Sequence, residues 1–165
     1  MEDEIMLIQK LAKPLLAAAG GTLAIALLLY LGDVLSAALL MAPFGASCVI
    51  AFLLPDSPLA KPRSIIGGHV LSTLAGLVML HLFGPSLWSM AIAVGLSILV
   101  MHYTRTVHPP AGADPLVVIL GGAGWSFLLT PVLAGAVLIT AVAYVYRKAL
   151  AGTDKAAKER LRQHG

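Results

Sequence analysis

The stretch His108-Pro109-Pro110-Ala111-Gly112-Ala113-Asp114 crowds titratable, ring-constrained and glycine residues together inside an otherwise lipid-like chain. Two consecutive prolines lack backbone N–H groups and push the preceding residue out of the helical region, so a helix has to break at His108 and restart from Pro110. Small side chains at Ala111, Gly112 and Ala113 leave the first N–H groups of the new helix open, and these carry the positive end of the helix dipole. A small anion or a polar solute is the expected guest. His108 can donate a hydrogen bond to an oxyanion, or carry a proton. Asp114 either caps the restarted helix or carries a proton, paired with Arg105 or His108, because an ionised carboxylate standing alone would repel an anion. Arg105 is a topology anchor or an anion attractor. Thr106, with Thr104, supplies hydroxyl donors unless each bonds its own backbone.

A second interruption, Pro43-Phe44-Gly45-Ala46-Ser47, lies in the middle of another apolar run. Shifting the chain so that Pro43 falls on Pro110 places Gly45 on Gly112, Ala46 on Ala113 and Ser47 on Asp114. The same register sets Ala24-Ile25-Ala26 on Ala91-Ile92-Ala93 and Gly68, Val70, Leu71 and Thr73 on Gly135, Val137, Leu138 and Thr140. An internal duplication follows. The expected binding site then takes Pro43, Gly45, Ala46 and Ser47 from the first break and Arg105, Thr106, His108, Pro109, Pro110, Ala111, Gly112 and Ala113 from the second. The plain alternative is two kinks that only help neighbouring helices pack.

The elements that must carry these breaks are membrane helices. With 59% hydrophobic and 12% charged residues and a mean hydropathy of +0.91, 165 residues hold too little polar surface to cover a soluble domain. Apolar runs of spanning length cover residues 15–31, 35–54, 65–83, 87–101 and 128–146, with a shorter one at 116–123 after the HPP stretch. The chain divides into an amphipathic surface segment at 1–14, a transmembrane domain at 15–147 with repeat halves at about 15–83 and 86–147, and a basic tail at 148–165. Each half holds a span, a broken span and a span. Three crossings per half is an odd number, so the halves enter the membrane from opposite sides, the inverted-repeat plan of many transporters. With the N-terminus inside, none of the 11 Lys and Arg residues falls in the outer turns at 32–33, 84–85 and 124–126, as positive-inside topology requires. Trp88 and Trp125 then mark the outer interface and Tyr144 and Tyr146 the inner one. Both termini are expected in the cytoplasm.

Other chemistry is sparse. The single Cys48 permits no internal disulfide, and His69 and His81 read as packing or interface residues. No His, Cys and carboxylate spacing suggests a metal, and no nucleophile elbow or phosphate loop is present, so neither an enzyme nor a cofactor is expected. The net charge of +3 comes from residues beside membrane spans, which excludes a nucleic-acid partner. The acidic start lacks a signal-peptide pattern.

Three ordered motifs, Ala42–Ser47 (APFGAS), Pro55–His69 (PDSPLAKPRSIIGGH) and His108–Leu116 (HPPAGADPL), resemble the integral membrane HPP family, over nearly the whole chain from about Leu15 to Arg147. That family includes plant plastid proteins that carry nitrite and bacterial members of mostly unassigned role, some with regulatory CBS domains. The resemblance implies a transporter for nitrite or a similar small oxyanion, with roles for His108, Pro109, Pro110, Gly112 and Ala113. The expectation is therefore an all-α membrane protein, an inverted repeat with six crossings and two broken helices, that moves a small monovalent anion as channel or proton-linked carrier. It would reside in a bacterial inner membrane as a homo-oligomer. A scaffold or sensor subunit and a channel for small neutral solutes are the other classes.

Overall fold

In the computed structural model the backbone of residues 2–164 and the side chains of residues 12–152 are described; the amphipathic face expected within 1–14 and most of the basic tail lie outside those side chains. Among the described residues every regular element is helical. Helix α1 spans Glu2–Val34 and tolerates Pro14. Residues 35–42 form no helix. Helix α2, Pro43–Cys48, then runs into a π-turn at Val49–Leu53. After a short 3-10 turn at Pro58–Ala60 come α3, Pro62–Phe83, and α4, Leu87–Tyr103. A 3-10 turn at Pro109–Ala113 leads into α5, Asp114–Leu120, and α6 covers Ala134–His164. Three helices, Ala12–Val34, Pro62–Phe83 and Trp125–Gly152, are long and apolar enough to cross a membrane, while Pro43–Leu53, Leu87–Tyr103 and Pro109–Leu120 are shorter apolar helices.

Both expected breaks are real, and both differ in detail from the sequence reading. The run 35–54 does not kink midway as a helix; its first part is non-helical, turned back by Ser36 at φ 50°, so the helix begins at Pro43 itself. Proline suits a first turn because its missing N–H has no partner to lose there. At the second break His108 is extended (φ −141°, ψ 98°) and the chain restarts at Pro109, one residue earlier than expected, as a 3-10 turn. A third interruption was not anticipated: Thr130 is non-helical (φ −133°, ψ 118°) before Pro131, inside the run 128–146.

Contacts fix the direction of the interrupted segments. Gly32 lies against Ala37, Gly21 against Cys48 and Gly20 against Phe52, so residues 37–53 run back along α1. They run in the same sense as α6, since Gly135 meets Phe44 and Phe52 stacks edge-on against Tyr146. At the second interruption, Gly67 meets Thr106, Gly68 meets His108 and Ala111, and Gly76 meets Pro115 and Val118. Residues 106–118 therefore ascend alongside α3 in its own direction.

Close approach explains the glycines at the two breaks. A Cβ at Gly68 would sit 2.7 Å from the His108 Cβ, and one at Gly135 would collide with the Phe44 ring. Lipid is as apolar as a leucine side chain, so helices associate through tight packing and polar bonds rather than hydrophobic drive. One apolar cluster gathers Leu28, Phe44, Phe52, Ile65, Val132 and Ile139; a smaller one gathers Leu77, Ala93, Val118 and Ile119. The outer surface is the reverse of a soluble protein's, with Leu15, Leu87, Trp88 and Leu120 more than two-thirds exposed.

Breaking a helix in lipid frees carbonyls that need donors. Side chains supply them. Ser47 Oγ donates to the Pro43 carbonyl at 3.2 Å, Ser72 Oγ to Ala111 at 2.5 Å, His108 Nδ1 to Leu59 at 2.9 Å and Arg63 to Thr104 at 2.6 Å.

Candidate functional site

The two interrupted segments meet. Ser47, on the inner face of α2, lies 2.7 Å from Nε2 of His69 and 2.9 Å from Nε2 of His108 through its Oγ. His69 projects from α3 and its Nδ1 is 2.7 Å from Oδ2 of Asp114 at the start of α5. Thr73, one turn further along α3, donates to the same carboxyl oxygen at 3.4 Å. His108 closes the chain on the far side with Nδ1 on the Leu59 carbonyl. A continuous line results: Asp114, His69, Ser47, His108, Leu59. All four titratable or hydroxyl side chains in it are 0% exposed. The two imidazoles meet edge to face at 5.1 Å, and the Phe44 ring meets His69 the same way, also at 5.1 Å.

The cluster follows from local sequence. His69, Ser72, Thr73 and Gly76 fall on one face of α3 at helical spacing. Ser47 is one turn beyond Pro43, and Asp114 directly follows the 3-10 turn. A buried polar network of this kind is stable only when each member is bonded. One buried atom of the network, Asp114 Oδ1, has no partner among the described residues; Thr140 Oγ1 of α6 is the other such atom.

The expected site residues divide sharply. Ser47, His108, Asp114 and, through its carbonyl, Ala111 join the network. Pro43 and Pro110 are buried and shape the two restarts. Thr106 is buried against Gly67 and shares a hydrogen bond with Thr104 at 2.8 Å, while Thr104 also donates to its own backbone at Val100. Gly45, Ala46, Pro109 and Ala113 are exposed and Gly112 is half-buried, all outside the hydrogen-bonded line. Arg105 is exposed at φ 57° in a turn. Asp114 pairs with His69 rather than with Arg105 or His108.

The open cradle of backbone N–H groups is replaced by turn hydrogen bonds. Phe44 N–H donates to Met41, Gly45 N–H to Ala42 and Ala111 N–H to His108. Tight 3-10 geometry consumes those donors. The polar groups that converge on the centre are side chains.

His69 is the residue that sequence reasoning passed over as packing. It is the middle of the network. The available signal was the stripe His69, Ser72, Thr73 at i, i+3 and i+4 in an apolar span, since polar side chains inside a membrane face protein or a pathway rather than lipid. His81 keeps its structural reading: Nδ1 donates to the Leu77 carbonyl at 2.8 Å and its ring lies 4.8 Å from that of Trp125. Cys48 is a buried free thiol. Among the described residues no group of three or more His, Cys, Asp and Glu side chains could hold a metal ion.

Long apolar helices with exposed leucines, wrapped around a closed polar network at two interruptions, define a multi-pass integral membrane protein. The chain belongs to the HPP family, whose transmembrane region it matches over residues 7–155. Two transmembrane proteins of Dictyostelium discoideum are similar to it. One is 39% identical over 114 residues, covering 64% of this chain and 40% of that protein; the other is 34% identical over 113 residues, covering 62% and 36%. The chain thus spans about two fifths of the length of the curated relatives it matches. No solved structure matches it.

Proposed function

We propose that this chain is a transporter for a small monovalent anion of the nitrite class, held between its two interrupted helices at Ser47, His69 and His108. The observation that carries the reading is the convergence of hydroxyl and imidazole groups from three elements on one point, Ser47 Oγ, where both breaks meet. In the occluded arrangement these groups satisfy one another. Parting α2 from α3 frees a hydroxyl and imidazole N–H groups, the donors an oxyanion accepts.

The transport plan rests on six crossings in an inverted repeat. A short helix such as Pro43–Leu53 rises only about 16 Å, yet its non-helical lead-in at 35–42 can extend by up to about 3.3 Å per residue. Lead-in and helix together reach across a hydrocarbon layer of about 30 Å. The contact series along α1 and α3 supports full-depth crossings for both interrupted segments rather than hairpins that return to one side. With that topology Lys13, Lys61, Arg63, Arg105, Arg147 and Lys148 share one end, which positive-inside bias makes cytoplasmic. A bacterial inner membrane and a homo-oligomer complete the proposal.

Uptake of nitrite by proteoliposomes tests it. Saturable flux above protein-free vesicles, reduced at least tenfold in Ser47→Ala and in His108→Ala, is expected. Folded protein that moves neither nitrite nor nitrate, formate or water sinks the reading in favour of a scaffold or sensor subunit, a role favoured by the complete burial of the four side chains. Flux of neutral solutes alone would make it a channel of another kind.

A further inference from the structure

The hydrogens in the buried line can be counted. A carbonyl only accepts, so Nδ1 of His108, bonded to Leu59, carries a hydrogen, and Nε2 of the neutral ring is an acceptor. Ser47 has a single hydrogen. Three groups surround it, the Pro43 carbonyl, His108 Nε2 and His69 Nε2, and two of them can only accept. With that hydrogen directed at Pro43 or His108, the 2.7 Å contact to His69 is a bond only when His69 Nε2 donates and Ser47 Oγ accepts. The 2.7 Å contact between His69 Nδ1 and Asp114 Oδ2 needs a second hydrogen. A carboxylate and a neutral imidazole own only one between them.

We infer that the Asp114–His69 pair is a proton-binding site, holding one proton more than a carboxylate and a neutral imidazole, and that this proton latches the two interrupted helices together. Placing the extra proton on His108 instead would leave a buried cation with no anion beside it and Asp114 ionised, the costlier arrangement. Two further observations agree. The pair is 0% exposed on both sides, where a net charge is most expensive. Asp114 Oδ1 has no donor among the described residues, which a neutral acid tolerates better than a carboxylate.

The surroundings supply no competing charge. Among the described residues the only ion-pair partner of Asp114 is His69. Around it α2 offers Ser47 and the thiol Cys48, which packs toward Gly21 of α1; α3 offers His69, Ser72 and Thr73; the turn before α5 offers His108. On α4 the titratable His102 and Tyr103 are exposed, and on α6 Arg147 and Lys148 lie beyond Tyr146.

Losing the proton leaves the Ser47 hydroxyl as the only hydrogen for both imidazole Nε2 atoms. One of the two Ser47 contacts, to His69 of α3 or to His108 of the second break, then has no bond. The inference rests on the transport reading for its consequence: one proton taken up on one side and released on the other accompanies one anion, an electroneutral symport.

Two measurements on the full chain separate the claims. In proteoliposomes with a trapped pH dye, the saturable, protein-dependent nitrite uptake is expected to follow an imposed pH gradient, with accumulation up to about tenfold per pH unit, and to ignore membrane potential. Asp114→Asn is expected to lose that response to the gradient. Wild-type flux that follows potential and ignores pH overturns the coupling while leaving transport intact. Should there be no flux, the transport reading fails and a second readout still decides the proton. A folded state that keeps a proton which the unfolded chain releases is less stable as pH rises from about 7 to 9. The thermal midpoint of detergent-solubilised wild type should fall over that range. The Asp114→Asn midpoint should fall less steeply, because its amide donates to His69 Nδ1 in place of the proton and only the slope that the other buried groups give both proteins remains. Equal slopes in the two proteins overturn the proton site.

Discussion

The two breaks share a backbone plan and differ in chemistry. At the second, α3 presents Gly68, His69, Ser72 and Thr73 to the HPP turn, and all but the glycine make hydrogen bonds there. In the register that sets Pro43 on Pro110, the corresponding α6 residues are Gly135, Ala136, Ile139 and Thr140. There Gly135 receives the Phe44 ring, and Ala136 and Ile139 belong to the apolar cluster. One helix restart is held by bonds and the other by packed carbon. The first contributes a single polar group, Ser47, to the centre. A common interruption of the helix therefore does not dictate a common role: the neighbour across the glycine decides whether the break is wet or dry.

The sharpest way to break this comparison is His69→Ala. It orphans the Asp114 carboxyl and removes a partner of Ser47, two buried polar groups at about 1–3 kcal/mol each, and leaves a cavity where the imidazole stood; the folded yield in detergent and the thermal midpoint should drop accordingly. A wild-type-like midpoint would mean the network holds nothing together. At the dry break the dominant loss should be volume. Ile139→Ala, fully buried, is expected to cost about 2–5 kcal/mol, whereas its register partner Ser72→Ala should cost about 1–3 kcal/mol for the orphaned Ala111 carbonyl. Reversal of that order in chemical unfolding would erase the distinction between the two breaks.

What the breaks share is the glycine. Gly68→Ala and Gly135→Ala each force a side chain into close contact and should cost about 1–3 kcal/mol, visible as a lower unfolding midpoint in both variants. Gly45→Ala is the control with the smallest effect. A Cβ there meets nothing within 4 Å, so the change should stay within about 0.5 kcal/mol of wild type. A large loss at Gly45 would place a partner on the exposed side of α2.

Much of this was legible in the chain. Composition excludes a soluble domain, and prolines at 43, 109 and 110 mark both restarts, because ring sterics and a missing N–H act on nearest neighbours whatever surrounds them. The motifs carried the family. The sequence reading missed the break at Thr130–Pro131, where a proline near a run's start reads equally well as a first turn. It also set open N–H groups at the restarts, whereas a choice between 3-10 and α geometry turns on the next few bonds and consumed those donors.

The site was half legible. His108, Ser47 and Asp114 stood out because each adjoins a break, but their mutual partner did not. His69 lies 22 residues from Ser47 and 45 from Asp114 along the chain, and its role exists only once α3 passes between the two interruptions. Sequence by itself determined what is local or summed over the chain: a lipid-like surface, where the helices stop, which small residues permit close approach. Tertiary structure alone decided which polar groups meet, since a hydrogen bond is satisfied at about 3 Å in space and spacing along a chain does not measure that distance.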